Sequence, residues 1–590
     1  MHTSVRLALV AAILAAPLVA SNVAHAQPAD ASGEPNSGSA SPPGPAPNPP
    51  ETNGDEARIR EIVDRELARV LTERAAKDAA EKAATENAQP SGTTGAKAGD
   101  IRGQSGLFDT RIAFTMTNEN VLVKPGETIP SVPGWRFGIP NSLGVLFFDN
   151  YDTRYSGFET LSHVTAYRDV NVGHIEAEAA FVMRINELSG TNIALSDDGS
   201  YIVLTDWKDP THKDPTRISL TAFPVSADRF RLGYSYRLSW GGDPEYSRTN
   251  AATPGAKLQY DTKGAYAFIG AKSSVVLDRA TAEQRSALAG LVGAGWDPND
   301  MVRLEFNGGY FDRGYNELVD VNREHVQLFG GSVQASIHHG MPIRSSVDYR
   351  LYKYNGEQIA GLFAPETYPG GLAWIAQSEF TVLGQTLKDP DKTGATKIQY
   401  GKAGDLNIRV KKDRIRLRAD ISYRDLGFIL HSVPSLPTYE DFPTEYKTSA
   451  DLFAAVGADR NWGDWLTLGV ILGIDKPATL TSPTGIPGAP NGATGQSTEV
   501  IRNNNIDTII TILPPGEKVV PQFALKANAK VDFAKLYSAL IEVFYSYDGN
   551  TTRYERVGCA TGQNCPDAPL QYVFGNFNQL GINVTLQARF

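Results

Sequence analysis

The last ten residues, Gly581 to Phe590, restrict the fold more than any other stretch. Ile582, Val584, Leu586, Ala588 and Phe590 alternate there with Asn583, Thr585, Gln587 and Arg589. Successive side chains of an extended strand point to opposite faces, so this segment offers one apolar and one polar face. Arg414 to Tyr423 repeats the pattern, with Ile415, Leu417, Ala419, Ile421 and Tyr423 set against Arg414, Arg416, Arg418, Asp420 and Ser422. Tyr537, Ala539, Ile541, Val543, Tyr545 and Tyr547 form a third apolar row, interleaved with Ser538, Glu542 and Ser546. The sharpest example by pattern is Arg229 to Trp240. Phe230, Leu232, Tyr234, Tyr236, Leu238 and Trp240 take one face; Arg229, Arg231, Gly233, Ser235, Arg237 and Ser239 take the other.

Strands with two solvents lie at a soluble surface or cross a lipid bilayer. Beyond the amino terminus no apolar run approaches the roughly 18–20 residues that a membrane helix requires, so a membrane crossing would have to use a closed barrel. Met1 to Arg6 give a basic start, Leu7 to Ala20 an apolar core, and Ala24-His25-Ala26 a small-x-small cleavage signal. Residues 1–26 therefore read as a secretory signal peptide, with the mature chain starting at Gln27. Residues 27–54 are rich in Pro, Gly and Ser and form a disordered linker. In 55–88, Ile59, Ile62, Val63, Leu67, Val70 and Leu71 recur at spacings of three and four, the mark of an amphipathic helix. Its apolar stripe must pack on copies of itself in a homo-oligomer, on the barrel, or on another periplasmic protein. A second linker, 89–106, leads to a strand-rich region, 107–590.

Turn chemistry sets the strand count. Short turns fall near Val170–Gly173, Ala227–Asp228, Asp261–Gly264, Asp297–Asp300, Gly340–Pro342, Lys411–Asp413, Trp462–Asp464 and Asp532–Lys535. Longer connections fall near 118–158, 189–216, 243–254, 277–285, 313–324, 357–395, 431–446, 477–517 and 555–570. Short periplasmic turns alternating with long external loops predict an all-β, transmembrane antiparallel β-barrel of about 18 strands, or about 16 if Lys257–Tyr260 is not a separate crossing. Trp296, Trp462 and Trp465 fall at the turns and Trp240 at an external strand end, where amphipathic rings favour a membrane interface.

The alternation also predicts what faces inward. Arg229, Arg231, Arg237, Arg303, Arg409, Arg414, Arg416 and Arg418 point into the lumen, with Glu176, Glu178, Glu305, Asp348, Asp420 and Glu542. Three cations on one strand, Arg414, Arg416 and Arg418, are expected to act on permeating ions at short range. Cys559 and Cys565 stand near the last strand without a His or further Cys beside them, and in an exported chain they read as a disulfide staple.

Other chemistries find little support. Asp389-Pro390-Asp391 begins like a calcium loop, but Tyr400 stands where the closing Glu belongs, so neither a metal nor a cofactor is expected. His338-His339 lie near Ser336, and His163, His174 and His212 are scattered; none assembles a nucleophile, base and oxyanion donor, so no enzyme is expected. A formal net charge of −10 argues against nucleic acid.

The signal peptide, the terminal Gly581–Phe590 strand and the strand-turn rhythm resemble those of Gram-negative outer-membrane porins and porin-like channels. The resemblance implies an outer-membrane barrel with its amino-terminal tail in the periplasm. Its partners would be membrane lipid and the barrel-assembly machinery, with Phe590, Leu586, Val584 and Ile582 as assembly signal. It implies passage of small hydrophilic solutes through a charged lumen. The helix-bearing tail also suits an export conduit for a polymer such as a polysaccharide, or a plugged structural or adhesive barrel.

Overall fold

The structure, a computed structural model, describes residues 107–117, 136–137, 162–188, 193–233, 235, 237–242, 252–278, 283–341, 371–431, 439–463, 465–483, 496–503, 508–534, 537–556 and 570–589. The signal peptide, both linkers, the helix at 55–88, Asp348, Cys559, Cys565 and Phe590 lie outside these residues.

Eighteen strands close into one antiparallel barrel. They are β1 Leu107–Thr117, β2 His163–Val172, β3 Ile175–Leu188, β4 Tyr201–Trp207, β5 Arg217–Phe223 and β6 Gly255–Thr262. Next come β7 Ala265–Asp278, β8 Glu283–Asn299, β9 Val302–Tyr315, β10 His325–His339, β11 Leu372–Lys388 and β12 Thr396–Lys412. The last six are β13 Ile415–Arg424, β14 Asp451–Asn461, β15 Leu466–Lys476, β16 Gln522–Ala534, β17 Tyr537–Tyr547 and β18 Asn578–Arg589. Each pairs with its neighbours in sequence, and β18 also pairs with β1 from Asp109↔Arg589 to Thr117↔Gly581. Closure leaves no sheet edge, which is the condition for strands to lie in hydrocarbon.

The alternation reappears as two chemically distinct faces. Outward side chains are apolar and open, such as Leu288 at 63% and Ile269 at 61% exposure. On β13, Ile415, Leu417, Ile421 and Tyr423 face out, while Arg418, Ser422 and Arg424 are buried inward. Trp296, Trp462 and Trp465 are exposed at the short-turn end, as expected of an interfacial girdle.

Three expectations fail in detail. The segment Arg229–Trp240 is not a barrel strand, and Ala227–Asp228 is not a barrel turn; both belong to the connection between β5 and β6. The stretch 189–216 contains a crossing, β4, and 357–395 contains another, β11. Trp240 lies fully buried inside the barrel and not at an external end. Lys257–Tyr260 does lie within a separate strand, β6. The physical reason for the first error is that this segment is a turned loop folded inside the barrel, closed where Leu232 pairs with Trp240, and its buried apolar side chains happen to alternate in sequence with arginines that find acids inside the protein. Its apolar face is buried by protein and not by lipid.

The main apolar core therefore sits inside the barrel. Phe230, Leu232, Leu238 and Trp240 pack on inward residues of the wall, including Phe223, Phe268, Leu291, Phe311, Leu328 and Leu383. The connection between β13 and β14 begins with a short helix, α1 Leu426–His431. Asp425 caps it by accepting the Phe428 N–H at 2.7 Å. Gly401, on the inward face of β12, lets the α1 backbone approach the wall where a Cβ would collide with Phe428. A small four-stranded sheet, Lys447–Ser449, Ala478–Ser482, Ser497–Asn503 and Thr508–Ile512, is formed by the connections at the long-connection end.

Candidate functional site

The lumen and the segment folded into it form the candidate site. Arg229 anchors the insert, donating from Nη2 to Asp198 Oδ2 at 2.9 Å and from Nε to the Asp198 carbonyl at 3.0 Å. Arg231 turns back on its own segment, with Nη2 2.7 Å from Asp228 Oδ1. Leu232 and Trp240 exchange backbone hydrogen bonds of 2.8 and 3.0 Å and close the base of a loop. Trp240 Nε1 donates to Ser332 Oγ on β10 at 2.8 Å.

Beyond that base, the Ser235 N–H donates to Glu379 Oε2 on β11 at 3.0 Å. Gly233 has φ +93° and lies where a Cβ would meet the Glu379 carboxylate, so glycine is required there twice over. Arg237 reaches β13 and β14, donating from Nε to Ser422 Oγ at 3.0 Å and from Nη2 to Asp451 Oδ1 at 3.1 Å. Its guanidinium stacks over Phe453 at 4.0 Å. The insert thus reaches Asp198 before β4 and, across the lumen, the inner faces of β10, β11, β13 and β14.

The wall carries its charges unevenly. Glu176 and Glu178 on β3 and Glu305 on β9 face inward and are buried. Each accepts a hydrogen bond from an aromatic side chain: Trp207 Nε1 to Glu176 at 2.8 Å, Tyr201 to Glu178, and Tyr266 to Glu305. Arg303 sits near the turn end in a bidentate pair with Asp297 at 2.6 and 2.7 Å.

Around β12 and β13 the sign reverses. Arg409 is the cross-strand partner of Arg418, and Lys411 of Arg416, so four cations share one small area of inner wall. Cations placed directly opposite each other repel. Asp459 Oδ2 accepts from Arg416 Nε at 2.7 Å, and Asp420 lies beside Asn407. Arg418 is 9% exposed, and its Nη1 has no hydrogen-bond partner among the described residues. Arg414 is exposed in the hairpin turn just before β13, one residue ahead of the strand. Further round, Lys526 pairs with Glu542 at 3.1 Å and Lys530 with Asp532 at 2.8 Å.

Sequence reasoning missed Arg424, Glu379, Asp451 and Lys526. Arg424 was readable, since it continues the inward face of Arg416 and Arg418 by the same period of two. Asp451 and Glu379 were not, because their partners arrive through the insert. The histidines stay apart: His174 pairs with Asp206 at 2.8 Å, His212 stacks on Trp207 at 4.2 Å, and His338 contacts the Met341 carbonyl.

A closed antiparallel barrel with an apolar exterior and a charged interior partly filled by its own connection is a membrane-spanning β-barrel. No protein-family model matches the chain, and no curated protein matches it significantly. Among solved structures it is similar to OccD3 (OpdP) of Pseudomonas aeruginosa, with 11% identity, TM-score 0.38, and coverage of 86% of this chain and 96% of that one. It is similar to OprD of Pseudomonas aeruginosa, with 10% identity, TM-score 0.35, and coverage of 82% and 94%. A third is the anion-selective porin from Comamonas acidovorans, with 8% identity, TM-score 0.32, and coverage of 82% and 98%.

Proposed function

We propose that the chain is an outer-membrane channel that passes small hydrophilic solutes by diffusion and favours anions. The observation that carries the reading is the four-cation patch of Arg409, Lys411, Arg416 and Arg418, paired across β12 and β13 on the inner face of the wall. At an effective dielectric near 20, a solute anion about 4 Å from one such charge gains roughly 4 kcal/mol. Asp420 and Asp459 offset part of that gain, and a net bias of about 1 kcal/mol suffices for a several-fold preference.

The test is the reversal potential of single channels in planar bilayers under a salt gradient. Arg416→Ser with Arg418→Ser is expected to lower anion over cation preference several-fold while the barrel still assembles. An unchanged reversal potential removes the patch from selectivity. Absence of current in the unaltered protein favours the plugged structural barrel, or a conduit opened by a periplasmic partner.

A further inference from the structure

Asp451, at the start of β14, is gripped by guanidiniums from two different parts of the chain. Arg424 at the end of β13 approaches with Nε 3.4 Å from Oδ1 and Nη2 3.2 Å from Oδ2. Arg237, from the insert, donates to Oδ1 at 3.1 Å. Asp475 on β15 completes the group: its Oδ1 lies 3.8 Å from Arg237 Nη2, and its Oδ2 accepts from Gln522 Nε2 at 2.7 Å. None of the four charged side chains is more than 13% exposed.

Arg424 also holds a residue outside the barrel wall. Its Nη1 donates to Asn503 Oδ1 at 3.0 Å and its Nη2 to the Asn503 carbonyl at 2.8 Å. Asn503 ends the strand Ser497–Asn503 of the small sheet, beside Arg502, which pairs with Asp548 at 2.6 Å. A path of polar contacts, with the Arg502–Asn503 backbone as one link, therefore runs from the connection after β17, through the small sheet, to the insert.

We propose that this cluster couples the small sheet to the luminal insert, so that the order of strand Ser497–Asn503 sets how firmly the insert is held. Two guanidiniums and two carboxyl groups meet inside a buried site. Withdrawing either guanidinium leaves uncompensated carboxylate charge there, which is far more costly than losing a surface ion pair. The four groups consequently hold together or loosen together. Arg424, clamped by Asn503, fixes both oxygens of Asp451, and that fixed carboxylate is what Arg237 grips.

The test is hydrogen exchange on the full-length barrel in detergent micelles, which needs no conductance. The readout is the Leu238 and Ser239 amides, both bonded to the Ser235 carbonyl at 3.1 and 2.7 Å. Arg237→Gln is expected to speed their exchange, and Asn503→Ala to do so by about 2- to 100-fold, the range of energies that couple residues of one network. Asn503→Asp, which keeps an oxygen acceptor for Arg424, should restore protection. The double variant Arg237→Gln, Asn503→Ala should exchange little faster than Arg237→Gln alone. Heat-modifiable migration confirms that each variant retains the barrel. Asn503→Ala without effect on these amides, or a double variant whose effect is the product of the two singles, would overturn the proposal.

Discussion

Replacing Trp240 with alanine would remove the largest fully buried side chain of the insert. The ring is fully buried, lies 5.9 Å from Phe311, and donates its N–H to Ser332 Oγ at 2.8 Å. Truncating a buried aromatic of this kind costs about 3–5 kcal/mol. Ser332 keeps Thr381 as a partner at 3.0 Å, so its hydroxyl adds little to that figure. The docked-to-undocked ratio of the insert should fall by a factor of about one hundred to several thousand. The strand ladders do not pass through Trp240, so the barrel should still close and remain heat-modifiable. Hydrogen exchange at the Leu232 and Trp240 amides, which bond across the base of the loop, reports the loss directly. Trp240→Phe keeps the aromatic packing and loses one hydrogen bond, about 1 kcal/mol, so it should cost only several-fold. If Trp240→Ala left those amides as protected as in the unaltered protein, the internal core would not be what holds the insert.

Gly233→Ala should loosen the same insert, because φ +93° costs an L-residue about 1–3 kcal/mol even before the collision with Glu379. Faster exchange at the Ser235 amide would register it, and an unchanged rate would contradict the assigned geometry. His431 at the end of α1 predicts a pH dependence. Burial, and next the nearby Arg313 charge, lower its pKa from 6.5 to about 3. Since the folded pKa lies below the unfolded one, the unfolded state binds more protons under pH 6.5, and stability falls as pH drops from 6.5 towards 3. At pH 4.5 the gap of two units amounts to roughly 3 kcal/mol, read as faster amide exchange in α1. His431→Leu should remove most of that difference between pH 7.5 and pH 4.5, and a variant that keeps all of it would refute the assignment.

Much of the barrel was legible because lipid and water impose a period of two that no other environment of the chain blurs. On β13 and β17, Ile421 and Val543 face out and Arg418 and Glu542 face in, as the alternation requires. Legibility failed where protein replaces water on the inner face. β4 reads as Tyr201-Ile202-Val203-Leu204 because Tyr201 and Val203 pack on the inner core while Ile202 faces outward, so both faces are apolar and the pattern disappears. The insert errs in the opposite direction, since Phe230 and Leu232 alternate with arginines whose acids lie inside the protein, Asp198 in the connection before β4 and Asp228 in the insert's own connection. The strand count survived because two crossings overlooked at β4 and β11 balanced two assigned elsewhere. At the site, the cations of β13 were visible as a row, whereas the pairing of Arg237 with Asp451 spans 214 positions and leaves no local trace.

Whether the lumen conducts is read from planar-bilayer recording of the unaltered, purified barrel. Stepwise current through single barrels is expected, with a reversal potential on the anion side under a salt gradient. Repeated insertion of heat-modifiable barrels without any current would contradict the proposed channel function.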